Sequence, residues 1–573
     1  ADDPRPPASA GRRDPSGAEV SGKFRGRRPL LRREPRRGLK LAVELSERLR
    51  LAAERREDRR EARSGGRREG GDGESGGEGN GGWAHRILHG DSPASDYSGG
   101  GIPETPGWVR DAVFYQVFPD RFARSERVAK PGNLEPWDSP PTPHGFKGGD
   151  LLGLAEKLDD LSALGVTALY LNPVFASAAN HRYHTWDYHQ VDPILGGNEA
   201  LRELLDAAHA RGMRVVLDGV FNHVGRGFFA FHSVLENGAD SPYLDWFHLD
   251  VERLRDGRPL GAYAEPKLLR RSKRPKPAFE ELGYSAWWDC PALPKLDTRT
   301  PAVREHLWDV AERWVRFGID GWRLDVPSEI DDDEFWRELR RRVKRANPEA
   351  YLVGEIWHDA RRWLAGDQFD ATMNYPLAKA ALGFFLPDLD TDALRSVGGY
   401  RDVVELDAAA FAAEVERVLG LYAPAVRDAQ LNLIGSHDTP RFLTLAGGEL
   451  AALEMAFLFL FTMPGAPCIY YGDEIGLEGG PDPDCRRTYP WDEGSWDHVL
   501  REQVRRLAAL RRAHPALRCG AYRTILAEDA IVSYVREAES GDAVVVAFNV
   551  SREERRVDLP VGALPARLLD AAT

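Results

Sequence analysis

Three carboxylates close three apolar runs of this chain. Asp325 ends Gly321-Trp322-Arg323-Leu324-Asp325, Glu355 ends Leu352-Val353-Gly354-Glu355, and Asp438 follows Ile434-Gly435-Ser436-His437. Side chains of a strand alternate between its faces, so Arg323 and Asp325 share one face. A guanidinium beside a carboxylate favours the ionised form, which predicts an ionised Asp325 able to act as a nucleophile. A second carboxylate on a neighbouring strand can deliver and recover a proton. Two such groups facing one bond are what cleavage of a glycosidic linkage requires. Taken singly, an Asp at a strand end reads as a helix cap or loop ligand. Asp332, just ahead of a helical period, is read as such a cap.

Regular elements must bring these groups together. Strand-like runs stand at residues 112–118, 166–171, 214–220, 321–326, 351–356, 371–374, 431–435 and 466–471. Helical periods lie between most of them, at 151–164, 199–211, 301–317, 332–345, 408–421, 450–462 and 501–512. This alternation predicts a (β/α)8 barrel over residues 106–514, in which C-terminal strand ends converge on one pocket. Residues 223–296, rich in Pro, Gly and charge, are read as an excursion domain after the third strand. Residues 515–573 lose the alternation and are read as a small β-sandwich.

Residues 1–105 differ from the rest. The first 70 carry 21 Lys and Arg against 12 Asp and Glu, a balance of +9 that leaves −22 for the remainder of a chain whose net charge is −13. Ten of the eighteen residues from 65 to 82 are Gly. Such a composition cannot bury a core and predicts a disordered tail, with one charged helix near 39–63. A basic arm for nucleic acid and a mis-called reading frame are the other readings of this stretch. The acidic body argues against a nucleic-acid groove there. The four cysteines are far apart, which fits neither a disulfide framework nor a zinc cluster and predicts a reducing compartment, the cytoplasm. No run reaches the roughly 18–20 apolar residues of a membrane span.

Asp218-Gly219-Val220-Phe221-Asn222-His223, Gly321-Trp322-Arg323-Leu324-Asp325, Gly354-Glu355-Ile356-Trp357 and Ser436-His437-Asp438 resemble, in order and spacing, the four signature regions of the α-amylase family, glycoside hydrolase family 13. Leu293-Pro294-Lys295-Leu296-Asp297, Gly366-Asp367-Gln368-Phe369-Asp370, Asn374-Tyr375-Pro376 and the segment Asp482 to Arg487 resemble its cyclomaltodextrinase, neopullulanase and maltogenic amylase branch. The resemblance implies a retaining hydrolase of α-1,4-glucosidic bonds in maltooligosaccharides, cyclodextrins or pullulan, with transfer to sugar acceptors as a companion reaction. Asp325 would be the nucleophile, Glu355 the acid and base, and Asp438 the group that holds the distorted sugar. Asp218, Asn222, His223, Arg323 and His437 would bind around the cleavage point, with His181 and a stacking Tyr183. Trp357 would stack on the acceptor side, and Asp482 with Arg486 would grip the far end of a short substrate. Alone, each His also reads as a core histidine, and the Asp482–Arg486 pair as a surface ion pair. An exo-acting α-glucosidase or isomerising relative, and a non-catalytic sugar-binding or scaffold barrel, are the rival functions.

The chain departs from that branch in three places. Residues 1–105 do not resemble the β-sandwich that precedes the branch's barrel and builds its dimer, so the oligomeric state stays open. The branch's calcium ligands after the first strand are replaced by Ala123-Arg124-Ser125-Glu126-Arg127, with only Gly149-Asp150 retained. A hard cation needs about six oxygens or more, so no metal or other cofactor is predicted. Val326-Pro327-Ser328-Glu329 carries Pro and Ser where the branch has Ala and Asn, beside the acceptor side.

Overall fold

The computed structural model describes residues 105–263, 279–386, 394, 397–557 and 559. The tail expected over residues 1–105, charged helix included, lies outside them except for Thr105. Eight parallel strands form one sheet: β1 Phe114–Val117, β2 Ala168–Leu171, β3 Arg214–Gly219, β4 Gly321–Leu324, β5 Tyr351–Gly354, β6 Ala371–Thr372, β7 Leu431–Asn432 and β8 Ala466–Tyr470. They pair in the order β6-β5-β4-β3-β2-β1-β8-β7, and a parallel bridge from Met373 to Leu431 joins the two ends into a barrel. Each run read from the sequence contains its strand. Every residue of β1, β2, β4, β5 and β8 is buried, as expected for a parallel sheet covered on both faces.

Alternation along β4 separates packing from chemistry. Trp322 points toward the helix Pro301–Phe317, where its indole N–H donates to the Ala311 carbonyl at 3.1 Å, while Arg323 points inward. The β3–β4 register sets Asp218 beside Arg323. Gly321 opens β4 because a Cβ there would lie 2.2 Å from the Tyr351 carbonyl oxygen of β5. Helix Pro301–Phe317 begins with a proline and ends on Gly318 at φ +119°, and it buries Val303, Leu307, Val310, Ala311 and Trp314 along one face. Asp332 caps the next helix, Asp333–Ala346, by accepting from the Phe335 amide at 3.0 Å, as read.

The expected helix 151–164 is two, Leu151–Ala155 and Leu158–Leu164, broken at Glu156-Lys157. Two further elements were not read from the sequence. A hairpin of Phe175–Ser177 and Thr185–Val191 carries the loop with His181 and Tyr183. Helix Tyr375–Phe385 is buried almost all round, so it shows no amphipathic period. The excursion after β3 holds helix Phe229–Asn237 and short 3-10 turns. Bridges from His223 to Lys295 and from Phe247 to Leu296 tie its start and its middle to its last residues.

The C-terminal β domain is, among the described residues, one antiparallel sheet of β9 Ala521–Glu528, β10 Ile531–Glu537 and β11 Ala543–Asn549. Barrel helices cover its buried face, where a sandwich would carry its second sheet. Phe548 packs on Phe385 at 5.0 Å, and the Tyr534 hydroxyl bonds Thr462 Oγ1 at 2.6 Å.

Candidate active site

One guanidinium organises the C-terminal mouth of the barrel. Arg323 Nη1 donates to both oxygens of Asp218, at 3.0 and 3.1 Å, and to Asp325 Oδ1 at 3.0 Å. Its Nη2 lies 3.0 Å from Glu355 Oε2. Arg323 and Asp218 are fully buried, whereas Asp325 and Glu355 keep 7% and 5% exposure. Sequence reasoning placed Asp325 and Glu355 as the catalytic pair and Asp218 and Arg323 among the substrate-binding residues. Arg323 and Asp218 have no surface left for a ligand, and they act through the groups they hold.

A second chain of hydrogen bonds fixes the hairpin loop. Tyr183 donates its hydroxyl proton to Asp218 Oδ2 at 2.8 Å and lies 2.7 Å from His437 Nε2, and its ring stacks on His437 within 5° of parallel. Gln116 Nε2 stands 2.9 Å from His437 Nδ1, so the amide donates there and Nε2–H points to Tyr183. Asn172 Nδ2 also donates to the Tyr183 hydroxyl, at 3.1 Å. His181 Nδ1 accepts from the Tyr183 amide at 3.1 Å.

Asp438 stands at the open side, with a third of its side chain exposed, 3.2 Å from His437 Nε2. Arg486 Nη2 donates to Asp438 Oδ1 at 3.2 Å, and its Nη1 lies 2.9 Å from Asp482 Oδ1. The Asp482–Arg486 pair is thereby tied to Asp438: Arg486 is buried and donates Nε–H to the His437 carbonyl at 2.8 Å. Trp357 donates its indole N–H to Glu355 Oε1 at 3.0 Å, and one face of its ring is covered by Tyr375 at 3.5 Å. A Cβ on Gly399 would meet that indole at 2.1 Å.

Asn222 and His223 stand apart from the carboxylate network. Asn222 Nδ2 lies 3.3 Å from His223 Nδ1, and His223 Nε2 is buried. The His223 ring stacks on Trp287 within 5° of parallel, and Trp287 in turn stacks on exposed Trp288.

Burial governs the electrostatics. It pushes Asp218 up to about 6, Asp325 well above the usual aspartate range, and Glu355 upward as well, with Arg323 pulling each the other way. The expectation that Arg323 would hold Asp325 below its ordinary range is corrected. One positive charge is shared among three buried carboxylates, and desolvation outweighs it. The cluster titrates as a unit and keeps a proton that isolated carboxyls would lose. Burial also lowers His223 to about 3 and takes His181 and His437 well below the usual histidine range. The site thus offers neutral imidazoles, which both donate and accept.

Sequence reasoning missed Gln116, Asn172 and Tyr170, whose hydroxyl donates to Asp218 Oδ2 at 3.0 Å. The signal was there for Gln116 and Asn172, each an uncharged amide inside or just after an all-apolar strand.

Residues 116–515 match the family described as alpha amylase, catalytic domain. The chain belongs to the α-amylase family. It is 42% identical over 473 residues to a cyclomaltodextrinase of Geobacillus thermopakistaniensis, covering 82% of this chain and 74% of that one. It is 42% identical over 449 residues to neopullulanase 2 of Thermoactinomyces vulgaris, covering 78% and 70%. The crystal structure of a debranching enzyme from Nostoc punctiforme superposes with a TM-score of 0.72 at 45% identity, covering 81% of this chain and 92% of that one. As an α-amylase family member the chain is a glycoside hydrolase. The calcium position that the α-amylase resemblance implies after β1 does not fit a metal here: Arg124 and Lys130 hold its oxygens. No cluster of His, Cys, Asp and Glu able to hold a metal occurs among the described residues.

Proposed function

We propose that this chain hydrolyses α-1,4-glucosidic bonds of short or cyclic α-glucans by double displacement, with retention at the anomeric carbon. The observation that carries this reading is Arg323. Two nitrogens of one guanidinium hold Asp325 and Glu355 at 3.0 Å each, which supports placing both carboxyls on one scissile bond. Retaining cleavage requires two carboxyls about 5–5.5 Å apart across the scissile bond. Asp325 attacks C1, and the bond to the leaving oxygen breaks as Glu355 gives that oxygen its proton. Water then attacks C1, passes a proton to Glu355 and frees the Asp325 carboxylate. A sugar hydroxyl in place of water yields transfer by the same step. Asp438 takes sugar hydroxyls and stabilises positive charge at C1. His181, Asn222, His223 and His437 hydrogen-bond around it, Tyr183 supplies an aromatic face, and Asp482 with Arg486 closes the far end.

We assign these steps to a catalytic body of residues 106–514, with residues 223–296 as a cleft wall and residues 515–573 as a β appendage. The family match over residues 116–515 supports that division. A reducing compartment, the cytoplasm, suits the four unpaired cysteines, of which Cys468 and Cys485 are buried. No helix among the described residues is long and apolar enough to cross a membrane.

The test is a product analysis on β-cyclodextrin, pullulan, maltotriose and maltose. The expected result is opened rings and a first-formed reducing end in the α form. Glucose alone from linear chains, with rings untouched, would move the assignment to an exo-acting α-glucosidase. Trp357 gives a finer check, since its N–H favours the Glu355 anion. Trp357→Phe removes that donor, so the alkaline limb of kcat/KM should move to higher pH by about one unit. A limb that stays or moves down contradicts the proton's assignment to Glu355.

A further inference from the structure

We propose that the segment after β1 is built around an internal ammonium, Lys147, which takes the place of a divalent metal. Lys147 is completely buried. Its Nζ donates to the carbonyls of Pro136 and Ser139, both at 2.7 Å, and to Ser139 Oγ at 2.5 Å, with Glu135 Oε2 at 3.4 Å. Three short oxygen contacts satisfy the three N–H donors of an ammonium. The same residue anchors a second layer. Its amide and that of Gly148 donate to Asp120 at 2.8 and 3.1 Å, and its carbonyl accepts from Arg124 Nε at 2.6 Å.

The remaining oxygens are taken as well. Asp150 Oδ2 lies 2.8 Å from Lys130 Nζ and accepts from the Ser125 amide at 2.9 Å, while Asp150 Oδ1 caps the helix that follows. A divalent ion would have to displace these hydrogen bonds and sit among Arg124, Lys130 and Lys147, where like charges repel it. The network reaches the hairpin loop, because Asp120 Oδ1 also lies 3.4 Å from Arg182 Nη1, between His181 and Tyr183. The fold therefore carries its own cation, and neither folding nor turnover draws on a metal from solution.

Melting of the purified full-length chain, with millimolar EDTA and then with millimolar CaCl2, tests this without reference to any substrate. The expected shift is below about 1 °C in either direction. A melting temperature that falls by several degrees in EDTA and returns with calcium overturns the proposal. Lys147→Met should melt lower by about 4 °C or more, with no recovery on adding CaCl2. Lys147→Ala should be partly restored by propylammonium, which returns the missing charge. A Lys147→Met protein as stable as the parent would overturn the proposal, and if these variants fail to fold the metal titration of the parent chain decides it.

Discussion

Asp325→Asn should remove turnover of every α-glucan, by about 10⁴–10⁶-fold in kcat, and leave the barrel folded. An amide cannot form the glycosyl ester, so double displacement stops at its first step. The loss corresponds to about 5–8 kcal/mol of barrier. Stability should move the other way. Arg323 faces Asp218, Asp325 and Glu355 in a buried cluster, and burial raises the pKa of all three. Removing one charge relieves a crowd of like charges, so the melting temperature should stay level or rise by about 2 °C. Kinetics with calorimetry on the same preparation read both effects. Retained turnover would place the nucleophile elsewhere, and a large fall in melting temperature would show that Asp325 is needed for the fold.

Glu355→Gln is the second large effect, and it should depend on the leaving group. With a cyclodextrin, whose leaving alkoxide needs a proton, kcat should fall by about 10²–10⁴-fold. With a glycosyl fluoride the first step needs no acid, so a burst of fluoride should precede slow steady release. That asymmetry separates a proton donor from a group that merely shapes the pocket. Equal losses on both substrates would assign Glu355 to binding or packing.

Much of this was legible in the sequence because the parts that do chemistry sit at strand ends, where a charged residue after an apolar run stands out. All eight barrel strands were legible for the same reason. Helix Tyr375–Phe385 was not, since burial on every side erases periodicity. The hairpin was not, since its second strand, Thr185–Val191, is only partly buried and its residues look polar. Among the site residues, Arg486 could be paired with Asp482 by spacing, but its contact with Asp438 joins loops 48 residues apart and only folding reveals it. The Asp325 pKa was misjudged for a related reason. The sequence displays Arg323 two residues away, whereas the burial that raises Asp325 most, and the Glu355 and Asp218 charges that add to it, come only with folding.

The most direct measurement is mass spectrometry of the Glu355→Gln protein after mixing with maltosyl fluoride. The first step can then proceed, while the second lacks its base and the covalent species accumulates. The account predicts one added maltosyl mass on the peptide that contains Asp325. A label on any other residue, or fluoride release with inversion at the anomeric carbon and no labelled peptide, would contradict it.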